Sequence, residues 1–191
     1  MLYSKALLDV AYSCRIVLFG KYKVSAVIAD DSFTSIARDL DVYEVFSGHT
    51  QSLHQAATSL GKASRCYDKV LGHPSCVTEE GFLHILRTIF QLRVGGLLPL
   101  EPECSTFVFA PMVHTKRKAC NLSGDTSNPW VADGNTMAQM VVFFLCIALL
   151  RGLHSFIEQP ASSMMFSYLQ PFLDPLFKAE GKLLKKTCTS L

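Results

Sequence analysis

A chain of 191 residues with 49% hydrophobic and 18% charged residues is long enough to bury a core and too apolar for intrinsic disorder. Its formal net charge of +2 excludes a strong sequence-wide field toward a polyanion, so any nucleic-acid contact has to come from a local patch. The longest unbroken apolar run, Met140 to Leu150, ends after 11 residues, where a membrane-spanning helix needs ~20, so a buried helix is expected there and a membrane partner is not.

Residues 1–40 are poorly periodic and read as an N-terminal extension of unclear structure. Within them Cys14 to Phe19 and Lys23 to Ala29 each suit a short strand, and Asp30-Asp31-Ser32 suits a helix start. The apolar stretch Ala6-Leu7-Leu8 is broken by Asp9, so no secretory address is expected. From residue 41 to 191 the pattern is one of short strands alternating with helices. Val42 to Phe46 is β-rich and runs into Ser47-Gly48, and Ser52 to Leu60 places Leu53, Ala56, Ala57 and Leu60 at helical spacing. Ala63 to Tyr67 forms a second strand ending at Asp68, with a break at Gly72-His73-Pro74. Thr78 then caps a helix over Thr78 to Arg93 whose first turn holds Glu79 and Glu80, and Gly95-Gly96 stops it.

Leu97 to Leu100 is a third strand that leads into Pro102-Glu103-Cys104, and His114 to Asn135 reads as a long polar loop. Met137 to Leu150 is an apolar helix almost without a polar face, as packing between a sheet and further elements requires. Leu153 to Ile157 is a fourth strand, closed by Glu158-Gln159-Pro160, and Ser162 to Phe177 is helical with a middle broken by proline. A basic stretch from Lys178 to Lys186 follows. The seven cysteines are odd in number and form no Cys-x-x-Cys pair, which fits a reducing, intracellular setting, cytoplasmic or nuclear. Cys66, His73 and Cys76 lack a fourth ligand at tight spacing, so no metal is expected.

Strands alternating with helices predict an α/β fold, a Rossmann-like three-layer α/β/α arrangement with a mostly parallel sheet. In such folds ligands bind at the carboxyl ends of the strands. Those ends carry Phe46-Ser47-Gly48, then Asp68, then Pro102-Glu103-Cys104, then Glu158-Gln159-Pro160. The cluster Lys116-Arg117-Lys118 follows the third strand, where it suits either phosphate contact or a solvated loop.

This order of residues resembles the catalytic core of S-adenosylmethionine-dependent methyltransferases, closest to the cytosine-5 DNA methyltransferases, in a divergent or truncated form. In that family a first strand ends in a Phe-x-Gly-x-Gly turn, a second in an acidic residue, and later strands carry Pro-Pro-Cys and Glu-Asn-Val. The resemblance spans roughly residues 42 to 160. It implies that Phe46 and Gly48 lie against S-adenosylmethionine and that Asp68 accepts hydrogen bonds from its ribose. It also implies that Cys104 adds to a cytosine ring as a thiolate while Glu158 holds or protonates that ring. Lys116, Arg117 and Lys118 would then contact nucleic acid.

The sequence departs from the family in continuing the turn as His49-Thr50-Gln51, in placing Glu103 between Pro102 and Cys104, and in offering no counterpart of the target-recognition domain before Leu191. Because Glu103 opposes thiolate formation, an active form requires it to turn away from the rim. Two function classes follow. One is a methyltransferase with nucleic acid as the leading acceptor, and the other a catalytically inactive interaction module of the same fold.

Overall fold

A computed structural model describes residues 36–108 and 112–180 of the chain. The two strand candidates before residue 30, the helix start at Asp30-Asp31-Ser32 and most of the basic stretch ending at Lys186 lie outside the described residues. In chain order the elements are β1 (Leu40–Val45), α1 (Ser52–Ser59), β2 (Ser64–Tyr67), α2 (Glu79–Gln91) and β3 (Leu92–Leu100), then the single turn α3 (Met112–Thr115), α4 (Pro129–Leu150), β4 (His154–Ile157) and α5 (Met165–Glu180). The strands form one sheet in the order β2-β1-β3-β4, and every neighbouring pair is parallel. The molecule is thus a Rossmann-like α/β fold, as the alternation of elements predicts.

The register brings the four strand ends level. Val45 pairs with Tyr67 on one side and Leu100 on the other, and Leu100 pairs with Ile157. The ladder runs one residue further, since Phe46 N–H donates to the Tyr67 carbonyl (2.7 Å), Glu101 N–H to Val45 (3.0 Å) and Glu158 N–H to Leu100 (3.0 Å). One rim therefore carries Phe46, Asp68, Glu101 and Glu158. The chain passes from β1 outward to β2 and then back across β1 to β3, so the β1/β3 junction is the point where the winding direction reverses. Such a junction opens a crevice above the strand ends.

The core lies where α2 and α4 meet the sheet. Phe82, Ile85, Leu86 and Ile89 recur at helical spacing on α2 and are fully buried. The Phe82 ring sits 5.9 Å from Phe143 and 5.6 Å from Phe144 of α4, each buried ring being worth roughly 1.5–3 kcal/mol. Arg151, just past α4, donates to the Ile89 and Leu92 carbonyls and so ties the ends of the two helices. Every residue from Met140 to Cys146 is buried. By length and composition α4 could cross a membrane, yet 72% of its apolar window is buried inside the fold.

Three local expectations are corrected. Gly95 and Gly96 do not end α2, which stops at Gln91; they lie inside β3, where the β1 pairing jumps from Leu40–Leu92 to Val42–Leu97. Gly95 has φ +77°, and a Cβ on Gly96 would come within 2.9 Å of the Arg93 carbonyl, so this bulge needs both glycines. The long loop ends earlier than Asn135, because Asn128 accepts from Trp130 N–H (3.0 Å) and Pro129 opens α4 in the first helical position, where its missing N–H costs nothing. Finally, α5 runs through Pro171 unbroken, with Met165, Leu169 and Leu173 buried on one stripe, so packing outweighs the lost backbone bond.

Candidate functional site

The crevice at the strand ends is a cavity of about 440 Å³. The end of β1 supplies Phe46 and Gly48, the end of β2 supplies Tyr67 to Val70, and the segment after β3 supplies Glu101 and Glu103. Trp130, Asp133, Gly134 and Met137 of α4 form another wall, and Ser75 to Val77 a third. Of the residues singled out from sequence, Phe46, Gly48 and Asp68 come together here, whereas Cys104, Glu158, Lys116, Arg117 and Lys118 do not line the cavity.

Asp68 stands just past β2 and organises the rim. One oxygen accepts from Gly48 N–H at 2.9 Å, the other from Val70 N–H at 3.0 Å, starting the 3-10 turn Lys69–Leu71. It thereby fixes the β1 turn, in which Phe46 (φ 66°) and Gly48 (φ 60°) both adopt left-handed backbone. Each carboxylate oxygen keeps a second lone pair for a ligand hydroxyl.

The helix after this turn is already occupied. Glu44 of β1 is fully buried and accepts from the first N–H groups of α1, Leu53 (3.3 Å) and His54 (2.7 Å). Gln51, which precedes α1, gives no side-chain cap, so Glu44 satisfies the helix start from below. Two of the backbone donors at the start of α1 are therefore taken by the chain itself rather than left for a ligand.

Glu103 faces the cavity, contrary to the orientation an active thiolate site requires. Burial opposes its ionisation, but hydrogen bonds from Lys69 (2.8 Å) and Ser105 (2.6 Å) outweigh that and hold its carboxyl below the usual range. Burial pushes the Cys104 thiol up, and Glu158 and Glu103 add to the effect. Glu158 itself is exposed on the rim. Beside it, Gln159 donates to the Pro102 carbonyl at 2.5 Å and ties the third and fourth strand ends.

The basic cluster divides. Arg117 is 2% exposed, donates to Leu122 and Thr106, and lays its guanidinium 3.7 Å above the Phe107 ring. Burial there lowers its pKa to about 10. Arg117 holds the loop to the core, leaving Lys116, paired with Asp125, and Lys118 at the surface. Of the cysteine-histidine set, Cys76 lines the cavity with its thiol pushed up to about 12 by burial, and His73 stacks on Tyr67 at 5.1 Å. Among the described residues no three ligating side chains converge on a metal position.

Among the charged and aromatic residues of the cavity, Glu101, Lys69, Trp130 and Asp133 escape a reading by motif. Glu101 had a signal, since it follows the apolar run Leu97 to Leu100 just as Asp68 follows Tyr67. Asn128-Pro129 is the signal for Trp130 and Asp133, because it moves the start of α4 to the rim. Comparison of the chain with family models, with curated proteins and with solved structures finds no match.

Proposed function

We propose that the strand-end cleft binds S-adenosylmethionine and that the chain is a methyltransferase, with nucleic acid as the acceptor class its resemblance implies. The observation that carries this reading is the composition of the cleft. Asp68 stands at the end of the strand next to β1, and with Glu101, Glu103 and Asp133 it makes a wall in which Lys69 is the one cation among the lining residues. Such a wall repels phosphate, which argues against a nucleotide or dinucleotide. It suits a ligand joining a nucleoside to a positive charge, and a sulfonium nucleoside is such a ligand. Trp130, Phe46 and Met137 supply apolar surface for its base, and Asp68 an acceptor for its ribose hydroxyls.

The second reading, a non-catalytic module of the same fold, is favoured by Cys104: its thiol is pushed up and stands outside the cavity lining, so little thiolate is present for attack on a base. Calorimetric and thermal titration separates the readings. Binding to the native state alone raises stability by about 2.7 kcal/mol at a hundredfold excess over Kd. S-adenosylmethionine and its demethylated product are both expected to raise the melting temperature, and Asp68→Asn to weaken both while the chain stays folded. No heat and no stabilisation at millimolar ligand would overturn the cofactor reading in favour of the module.

A further inference from the structure

Glu101 is the first residue beyond β3 and stands level with Phe46 and Glu158, its N–H donating to the Val45 carbonyl at 3.0 Å. It lines the cavity half-buried, and among the described residues its carboxyl receives neither a hydrogen bond nor an ion pair. The lysine of the cleft, Lys69, is engaged by Glu103 at 2.8 Å. The groups that face Glu101 are thus Glu44 from β1 and Glu158 from beyond β4, with Asp68, Asp133 and the Lys69–Glu103 pair around the same cavity. Burial first, then Glu44 and Glu158, push its carboxyl up to about 7. Near neutral pH it is shared between acid and carboxylate. A half-buried carboxyl with acid neighbours and no donor lacks one thing, a counter-ion.

We propose that Glu101 is the residue that meets the positive charge of the ligand in this cleft, and that a fixed cation binding there expels the Glu101 proton to solvent. This deepens the S-adenosylmethionine reading and takes the identity of the ligand from it. It also gives the cleft a means of telling donor from product. When the methyl group passes to a nucleophilic atom of the acceptor, that atom supplies the electron pair of the new bond to carbon, the S–CH3 bond breaks with its pair kept by sulfur, and the sulfonium becomes a neutral thioether. The product no longer carries the charge that Glu101 met, so its binding releases fewer protons.

The test is calorimetry of the full chain at pH 7 in phosphate and in Tris, buffers whose different ionisation heats report protons released on binding. With S-adenosylmethionine the expected release is about half a proton per ligand, vanishing at pH 9 where Glu101 is already ionised. Glu101→Gln should bind with no release, and the demethylated product should release less than S-adenosylmethionine in wild type. Binding heat that is independent of buffer, or wild-type release retained in Glu101→Gln, overturns the inference and leaves the cofactor reading standing. Trimethylsulfonium is the second probe. Proton release with it, but no heat with S-adenosylmethionine, supports the inference and removes the cofactor reading; no release and no heat with either overturns both.

Discussion

Two glutamates on neighbouring strands mark two regions of the molecule that treat charge in opposite ways. Glu44, inside β1, is fully buried, yet its carboxylate takes two N–H groups at the start of α1. Glu101, at the rim beyond β3, is half-buried, and no described residue donates to it. The difference teaches that burial alone does not make a carboxyl unusual; what matters is whether the fold supplies donors. At Glu44 the fold is closed and supplies the donors that the carboxylate needs. At the rim a carboxyl is left over, and a ligand is the natural partner for it.

Breaking the closed side should have the largest effect. Glu44→Ala removes the acceptor for two partly buried N–H groups, each hydrogen bond to a charged group being worth about 1.5–3 kcal/mol, so chemical denaturation should report a loss on the order of 2–4 kcal/mol. Glu44→Gln keeps one acceptor oxygen and should lose about half as much. A loss below ~1 kcal/mol for Glu44→Ala would mean that water caps α1 as well as Glu44 does.

On the open side the sign reverses. A carboxyl raised to about 7 in the folded chain holds its proton where the unfolded chain, near 4.5, has released it. The folded state is therefore favoured by this group below pH ~4.5, and that advantage is lost as pH rises through ~7. Glu101→Gln should stabilise the chain above pH 7 by on the order of 1–2 kcal/mol, after discounting for solvent screening, and change little at pH 4. Equal denaturation midpoints for the two proteins at pH 8 would show that Glu101 carries no strain.

The smallest effect belongs to the Lys69–Glu103 pair, whose side chains are 62% and 45% exposed. Lys69→Met should cost less than ~1 kcal/mol, shrinking further in high salt. Its use is to sharpen the comparison: once Lys69 is gone, Glu103 becomes a second carboxyl without a cation. A bound sulfonium should then be held more tightly than in wild type by calorimetry, because the charge of Glu103 is no longer neutralised beside it. Unchanged affinity would locate the whole response at Glu101.

The parallel sheet was legible in the sequence because β-rich runs such as Val42 to Phe46 end in turn residues and alternate with helical spacing. Strand ends were legible to within a residue, which is why Phe46, Gly48 and Asp68 meet in one cavity. Side-chain direction was less so. The Pro102-Glu103-Cys104 motif drew attention to Cys104, whereas Glu101 and Glu103 are the residues of this segment that line the cleft, and motif order carries no information on which way a side chain turns. Arg117 looked like a third surface cation beside Lys116 and Lys118. Nothing local in Lys-Arg-Lys says that the middle side chain lies over Phe107, since that contact comes from residues ten positions earlier and from α4. Gly95 and Gly96 looked like a helix stop because glycine ends helices as readily as it permits a bulge.

The most direct test of the central claim uses Trp130, the one tryptophan in the chain, which is 42% exposed and lines the cleft. Its fluorescence reports that wall alone. Titration with S-adenosylmethionine at pH 8, where Glu101 is mostly ionised, should give a saturable change in intensity or emission maximum that weakens at pH 5.5 and is diminished in Asp68→Asn. A flat titration at millimolar ligand, with the protein folded and the tryptophan still quenched by iodide, would contradict the claim that this cleft is built for a positively charged nucleoside.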